Sequence, residues 1–130
     1  TDRIVLKGGS AGAITALTVA YCTDKFGIDR PPIAAVIDLS GVLTSSCDRG
    51  AVIGSGEPML FVAHGTEDGG DTAFSNAVSI IDAAIAAGIT YEFHPLEDVS
   101  HVWDEWEETT ADGRSIGQAI FDFLDRVLFH

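Results

Sequence analysis

Positive charge is scarce in this sequence: seven Lys and Arg residues stand against 20 Asp and Glu, and the formal net charge is −13. Such a chain repels phosphate groups, which argues against nucleic acids, anionic membrane surfaces and polyanionic substrates as partners. Long apolar runs are absent too, and none reaches the roughly 20 residues that a membrane span requires. Because 46% of the residues are nevertheless hydrophobic, the composition predicts a globular protein with a buried core.

An initiator methionine and a signal-type apolar stretch are also missing. The chain opens on Thr1-Asp2-Arg3 and passes directly into the apolar residues 4–6, which are typical of a buried strand. Natural domains rarely begin in this way, so we expect the chain to be a segment of a longer protein. Its 130 residues suffice for a single domain, residues 1–130, and leave little room for a second.

Strand-like and helix-like segments alternate along the chain, which favours an α/β fold with a mainly parallel sheet. Short apolar runs predict strands over residues 3–7, 33–39, 58–63 and 89–95. Apolar residues at helical spacing predict helices over residues 13–26 and 114–128. A further helix is expected between them, capped by Asp71 or Thr72 and ended by Gly88.

Cysteine is scarce as well, and Cys22 and Cys47 are too few for a disulfide framework. Cys22 is expected about 18 Å along the first helix from the sheet edge at which that helix starts, at 1.5 Å per residue. Cys47 follows the second strand and is expected near that same edge. Unless the serine- and glycine-rich loop over residues 41–57 doubles back, the sulfurs are too far apart for a disulfide. We therefore predict two free thiols, with Cys22 buried as a small apolar residue.

The segment Gly8-Gly9-Ser10-Ala11-Gly12 matches the pattern G-x-S-x-G between a predicted strand and a predicted helix. The flanking glycines allow a sharp turn that holds Ser10 in a strained conformation with its hydroxyl exposed. The N–H groups of the following helix point to the same place, where an oxyanion would develop. The alternative is an ordinary Gly-rich turn or a phosphate cradle. The negative charge and the absence of a following G-K-[ST] disfavour a cradle.

This segment resembles the nucleophile elbow of the carboxylesterase and lipase branches of the α/β-hydrolase family. The resemblance implies a three-layer α/β/α sandwich with a mainly parallel sheet, of which this chain contributes the strands from the nucleophile strand onward. It also implies a catalytic triad in the chain order nucleophile, acid, histidine. Ser10 would be the nucleophile, Ala11 would provide an oxyanion N–H, and Gly9 would line the substrate site.

The predicted third strand ends in His64-Gly65-Thr66-Glu67-Asp68, which resembles the family's strand ending in His-Gly-Thr-x-Asp. The resemblance implies that Asp68 is the triad acid, which would hold the histidine in its tautomer and stabilise the imidazolium. Glu67 and Asp71 are the alternative acids. A further alternative is that all three are solvated loop carboxylates in a very acidic chain. His64 is interpreted as structural, because it belongs to the strand-end motif and precedes the acid.

His101 lies on the loop between the fourth predicted strand and the last helix, where the family places its catalytic base. His94 lies within that strand before Pro95, so it is expected to pack or to face solvent. Trp103 and Trp106 are candidates for lining a substrate pocket beside His101, and Trp103 is the one we assign to substrate binding. Packing of the two indoles against the helix start is the alternative.

The resemblance covers essentially the whole chain but only half of the family's fold, and the other half normally supplies the second oxyanion donor. It would also leave the first strand unpaired on its outer side, with apolar residues at 4–6. We therefore expect pairing along residues 3–7, either in a homodimer or with an amino-terminal half.

Three functions are compatible with these residues. The first is hydrolysis of small-molecule carboxylic esters through an acyl-enzyme, with neither metal nor cofactor. The second is a catalytically inactive fragment that serves as a binding or assembly module. The third is a peptidase or thioesterase that uses the same triad.

Overall fold

The computed structural model describes residues 4–23, 27, 29, 31–42 and 58–129. In it, four parallel strands form one sheet in the order β1-β2-β3-β4. Their bounds are Ile4–Gly9, Ile33–Leu39, Met59–Gly65 and Tyr91–Leu96. The helices are α1, Ala11–Cys22, α2, Phe74–Ala87, and α3, Ile116–Phe129, and a short 3₁₀ turn covers Gly70–Thr72. The predicted α/β fold with a parallel sheet is confirmed.

The helices cover both faces of the sheet, which creates two hydrophobic cores. On one face, α1 and α2 pack against inward side chains such as Val36, Leu60 and Val62. On the other face, α3 packs against Ile37 and Phe61. Because the central strands β2 and β3 are buried on both sides, their sequences are nearly continuous apolar runs. None of the helices described is long and apolar enough to cross a bilayer.

The carboxyl end of α2 explains why β4 begins two residues later than predicted. Gly88 adopts a left-handed conformation with φ 73°, and its N–H donates to the Ile85 carbonyl. The N–H of Ile89 donates to the Ala84 carbonyl over 3.1 Å. This is the hydrogen-bond pattern of a Schellman motif, so Ile89 completes the helix end instead of starting the strand. Gly88 ends the helix as predicted.

The amino-terminal end of α2 corrects the predicted cap. The helix begins at Phe74, and the residue at its cap position is Ala73, which makes no side-chain hydrogen bond to the helix. Asp71 and Thr72 instead lie in the preceding 3₁₀ turn. The Thr72 hydroxyl donates to the carboxylate of Asp68 over 2.9 Å, so it is not free to cap the helix.

Cys22 corrects the prediction of free thiols. Its side chain is fully buried at the end of α1, as expected, but it is disulfide-bonded. The chain's other cysteine, Cys47, lies outside the described residues. The prediction assumed that the segment after β2 does not double back. The eight peptide steps that separate Leu39 from Cys47 in the sequence could span up to about 26 Å, so a distance of about 18 Å along α1 does not exclude a disulfide.

Candidate active site

Ser10 occupies the tight turn between the end of β1 and the start of α1. Its backbone has φ 53° and ψ −118°, a conformation that costs a non-glycine residue on the order of 1–3 kcal/mol. The turn brings the backbones of Gly8 and Gly12 so close that a Cβ on Gly8 would lie 2.3 Å from the Gly12 carbonyl. The N–H of Ser10 donates to the Leu39 carbonyl over 2.9 Å, which ties the turn to the end of β2. The surrounding structure thus holds Ser10 in this strained conformation.

His101 lies between Ser10 and Asp68, although these residues are far apart in the chain. Its Nε2 is 2.7 Å from the Oγ of Ser10. Its Nδ1 is 2.7 Å from the Oδ2 of Asp68. The Asp68 side chain is only 1% exposed, whereas the His101 side chain is 32% exposed. The structure therefore brings together the three residues that the sequence singled out as nucleophile, base and acid.

Two hydrogen bonds link the loops that carry Asp68 and His101. The N–H of Glu67 donates to the Val99 carbonyl over 2.9 Å. In return, the N–H of Asp98 donates to the Thr66 hydroxyl over 3.0 Å. Because both loops follow parallel neighbours, β3 and β4, they emerge at the same edge of the sheet. These hydrogen bonds set the distance between the carboxylate and the imidazole.

Neither alternative acid is placed like Asp68. Glu67 and Asp71 are exposed, whereas Asp68 is buried. The sequence offered no way to separate these three carboxylates other than the resemblance to a family motif.

The Asp68 carboxylate accepts hydrogen bonds from more than one side. Besides His101, His64 approaches Oδ2 with its Nε2 at 3.0 Å, and the Thr72 hydroxyl donates to Oδ1 over 2.9 Å. The His64 ring is fully buried, and its Nε2 also donates to the Thr72 carbonyl over 2.7 Å. Within the described residues, the Nδ1 of His64 has no hydrogen-bond partner. The sequence indicated Thr72 only as one of two possible helix caps, so it did not point to this contact with Asp68.

His94 lies apart from this group and packs within β4. Its Nε2 is 2.6 Å from Oε2 of Glu92, and its ring centroid is 5.3 Å from that of Phe61. It therefore makes the packing contacts that its position within the strand indicated.

A cavity of about 450 Å³ opens beside Ser10 and His101. Its walls include Gly9 and Trp103, the two residues assigned to substrate binding from the sequence, and also Trp106. The full lining consists of Gly9, Ser10, Leu39, Ser40, His101, Val102, Trp103, Asp104, Glu105 and Trp106.

Contacts with neighbouring residues fix both indoles in the cavity wall. The Nε1 of Trp103 donates to the hydroxyl of Ser40 over 2.8 Å. The ring of Trp106 lies so close to α3 that a Cβ on Gly117 would be 2.5 Å from it. Beside them, Glu105 forms an ion pair with Lys7 at 2.7 Å. The charged side chains that line the cavity are thus acidic, and one of them is neutralised by a lysine.

Asp38 lies near the end of β2, two residues before Ser40, and was not singled out from the sequence. Its side chain is fully buried, and burial raises the pKa of the Asp38 carboxyl to about 7. The N–H of Gly41 donates to Oδ1 over 2.8 Å, which lowers that pKa by less than burial raises it. Its Oδ2 has no partner among the described residues. The position of this residue in an apolar strand is the only sequence signal that it is buried.

Across the described ranges, no group of three or more His, Cys, Asp or Glu side chains is arranged to hold a metal ion.

No protein-family model matches this chain, and no curated protein is significantly similar to it. Solved structures with a similar fold include esterase PE8, with a TM-score of 0.67 and 22% identity over 95% of this chain and 49% of that one. SOBER1 from Arabidopsis thaliana gives a TM-score of 0.66 and 18% identity over 95% of this chain and 52% of that one. Esterase 2 from Thermogutta terrifontis, in a structure phosphorylated by paraoxon, gives a TM-score of 0.66. Its identity is 24% over 96% of this chain and 52% of that one.

The chain spans about half the length of these solved structures. At identities of 18–24%, the similarity to these structures shows the fold alone. Over that half, the chain has the α/β-hydrolase fold, which confirms the fold expected from the resemblance.

Proposed function

We propose that this chain hydrolyses small-molecule carboxylic esters through a Ser10–His101–Asp68 triad and an acyl-enzyme intermediate. One observation carries the proposal: a single imidazole lies 2.7 Å from a serine hydroxyl on one side and 2.7 Å from a buried carboxylate on the other. Nucleophilic catalysis by serine commonly uses this arrangement of nucleophile, base and orienting group. Structures of similar fold include esterases, and one of them has been phosphorylated by paraoxon, which supports a serine hydrolase.

The hydrogen bonds define the proton positions in the resting triad. Nδ1 of His101 faces the Asp68 carboxylate, so it carries the proton, and Nε2 is left as the acceptor for the Ser10 hydroxyl. As the Ser10 Oγ bonds to the ester carbonyl carbon, its proton passes to Nε2. Asp68 remains ionised and stabilises the imidazolium that forms.

The negative charge that develops on the carbonyl oxygen needs a hydrogen-bond donor. The N–H of Ala11, the first residue of α1, is our candidate, because the first N–H groups of a helix have no partner within it. The positive end of the helix dipole lies at the same place. Removing one such donor typically costs about 100- to 1000-fold in rate.

Collapse of the tetrahedral intermediate breaks the bond between the carbonyl carbon and the alcohol oxygen. The leaving alcohol takes the proton from Nε2 of His101, and the acyl group stays on Ser10. Water then attacks this acyl-enzyme, gives its proton to Nε2, and releases the carboxylic acid while Oγ regains its proton. Each half of the cycle uses the same histidine first as base and then as acid.

The cavity indicates which esters fit. Its volume of about 450 Å³ is in the lower part of the range of small-molecule sites, and two indoles line it. Asp104 brings negative charge to its wall, Glu105 is paired with Lys7, and the whole chain carries −13. We therefore expect uncharged and cationic esters to react faster than anionic esters of the same size. Added salt would reduce that difference, since it screens the charge.

Fluorophosphonate labelling followed by intact-mass measurement tests the proposed function. The wild-type chain should gain one phosphonyl group, and Ser10→Ala should gain none. Ser79→Ala is the matched control and should gain one phosphonyl group like the wild type, because Ser79 lies on α2, outside the triad and the cavity lining. Absence of labelling in the wild type would favour the inactive binding module, and labelling of Ser10→Ala would contradict the assigned nucleophile.

A substrate panel separates esterase from thioesterase and peptidase activity. Matched oxygen esters, thioesters and anilides that carry the same acyl group are compared by kcat/KM. The proposal expects the oxygen ester to react fastest. A thioester or an anilide that reacts faster would assign the same triad to the other chemistry.

We also propose that the outer edge of β1 pairs with another strand. Within the described part of the chain, β1 pairs with β2 alone, and Ile4, Val5 and Leu6 are only half-buried. Exposed apolar edges of this kind favour pairing between chains. The partner strand would come from a second copy, which gives a homodimer, or from an amino-terminal half, with residues 1–130 as the catalytic domain.

A further inference from the structure

Thr72 brings a hydroxyl group to the interior side of the Asp68–His101 pair. Its Oγ1 donates to the Oδ1 of Asp68 over 2.9 Å and lies 3.1 Å from the Nδ1 of His101. The carboxylate accepts from Nδ1 with its other oxygen, Oδ2, over 2.7 Å. Thr72 thus contacts both the acid and the base, although ester hydrolysis as described above gives it no part.

We infer that Thr72 is a positioning residue of the proposed triad. It holds the Asp68 carboxylate with Oδ2 turned toward His101, and it offers the Nδ1 proton a second acceptor. The inference rests on the proposed function, because it assigns a role toward that same triad.

A carboxylate needs such a contact because rotation about its last side-chain bond is soft. With a hydrogen bond on Oδ2 alone, the Asp68 carboxylate could turn out of the plane of the His101 ring. The Thr72 hydroxyl occupies Oδ1 at the same time, so the two hydrogen bonds together define the rotation. A hydroxyl can donate once and accept as well, so donation to Asp68 leaves a lone pair for Nδ1–H.

The loop that carries Thr72 is itself firmly held. The N–H of Phe74 donates to the Asp68 carbonyl over 3.0 Å, which closes the segment 68–74 into a compact turn. The carbonyl of Thr72 accepts from Nε2 of the fully buried His64 over 2.7 Å. Because the turn contains Asp68 at one end and Thr72 near the other, the hydroxyl is kept over the carboxylate.

The contact matters most when His101 is protonated in the transition state. The imidazolium then donates more strongly from Nδ1, and both of its acceptors stabilise it. Loss of the Thr72 hydroxyl should therefore lower kcat while KM, which reflects the cavity, stays nearly constant. Misplacement of a catalytic group costs up to about 100-fold, so we expect a loss of about 10- to 100-fold.

The first test compares Thr72→Val with Thr72→Ser on an oxygen ester. Valine keeps the shape and removes the hydroxyl, whereas serine keeps the hydroxyl. We expect kcat to fall about 10- to 100-fold in Thr72→Val with little change in KM, and to be restored in Thr72→Ser. Equal impairment of the two variants would overturn the inference.

Asn76→Ala is the matched control for loosening of the same turn. The Asn76 side-chain amide donates to the Ala73 carbonyl over 3.0 Å, and it makes no hydrogen bond to Asp68 or His101 in the described structure. We expect its kcat to stay within about twofold of the wild type. If Asn76→Ala lost as much kcat as Thr72→Val, the effect would belong to the turn as a whole, and the inference would fail.

A second measurement does not depend on turnover. The Nδ1 proton of His101 is followed by proton NMR in the full chain, and its signal is assigned by its absence in His101→Asn. In Thr72→Val, or in Thr72→Ala if valine prevents folding, this signal should shift and exchange faster with water. An unchanged signal would overturn the inference. A wild type that shows the signal but hydrolyses no ester would refute the proposed function alone.

Discussion

Gly65 and Val99 meet backbone to backbone where the acid and histidine loops join. A Cβ added at Gly65 would lie 2.1 Å from the Val99 carbonyl oxygen, a separation that no side chain can occupy. The end of β3 therefore packs directly against the backbone of the loop that leads to His101. The distance between Asp68 and His101 depends on this contact as much as on the two side chains.

Gly65→Ala should push the His101 loop away from Asp68. We expect kcat to fall by about 100-fold, because displacement of a catalytic group by about 1 Å has this effect. The free energy of unfolding should also drop by about 1–3 kcal/mol, as for other overpacked sites. Steady-state kinetics and chemical denaturation measure the two quantities. Gly69→Ala is the control, since a Cβ there meets nothing within 4 Å, and an equal loss in that variant would contradict this account.

Trp103 and Ser40 should act together in substrate binding. Their hydrogen bond of 2.8 Å holds the indole in the cavity wall beside the nucleophile. We expect Trp103→Phe and Ser40→Ala each to raise KM severalfold with little change in kcat. Because both variants break the same contact, the double variant should be no worse than the poorer single variant. Fully additive effects on kcat/KM would show that the hydrogen bond does not position the indole.

Asp38 should make stability depend on pH between about 4 and 7. Its folded pKa is raised to about 7 from the ordinary 3.8, mainly because burial disfavours the charged form. The stabilising contribution of the neutral form is thus complete below about pH 4, and it is lost as the pH rises through about 7. Asp38→Asn keeps the side chain neutral at every pH.

Chemical denaturation from pH 4 to pH 8 measures this effect as the difference between Asp38→Asn and the wild type. The variant should gain stability relative to the wild type as the pH rises, by an amount on the order of 4 kcal/mol if the Asp38 pKa rises from 3.8 to about 7 on folding. A difference that stays constant over this range would contradict the raised pKa.

The disulfide at Cys22 should contribute to stability. Under denaturing, non-reducing conditions the chain should present no free thiol to a thiol reagent, and two after reduction. Reduction should lower the free energy of unfolding by about 2–4 kcal/mol. Cys22→Ser should reproduce that loss without added reductant. A melting temperature that is the same with and without reductant would contradict the prediction.

The edge of β1 should make the isolated chain associate. Sedimentation velocity at micromolar concentration should show a species of twice the chain mass or larger, in proportions that depend on concentration. If an amino-terminal half exists as a separate chain, adding it should replace this species by a one-to-one complex. A cooperative melt from a clean monomer would refute pairing along β1.

Several features were determined by the sequence because they depend on neighbours along the chain. The apolar run of β2 begins and ends at the predicted residues, Ile33 and Leu39. Gly88 ends α2 because a left-handed residue is needed there, and glycine adopts that conformation without strain. The turn around Ser10 follows from glycines within a few residues of it. In each case the physical cause lies within a few residues, so it is visible in the pattern.

Other features were decided by the tertiary structure, since they depend on contacts between distant segments. Three carboxylates follow β3 closely, and only the packing of the His101 loop against Gly65 selects Asp68 as the partner of the imidazole. Thr72 was a candidate helix cap from its place in the sequence, but in the fold its hydroxyl donates to the carboxylate of Asp68. The prediction for Cys22 rested on distance along a helix, whereas its disulfide depends on a partner sulfur that only the tertiary structure brings within reach. A residue's type limits the bonds it can make, and the fold determines which partner is within reach.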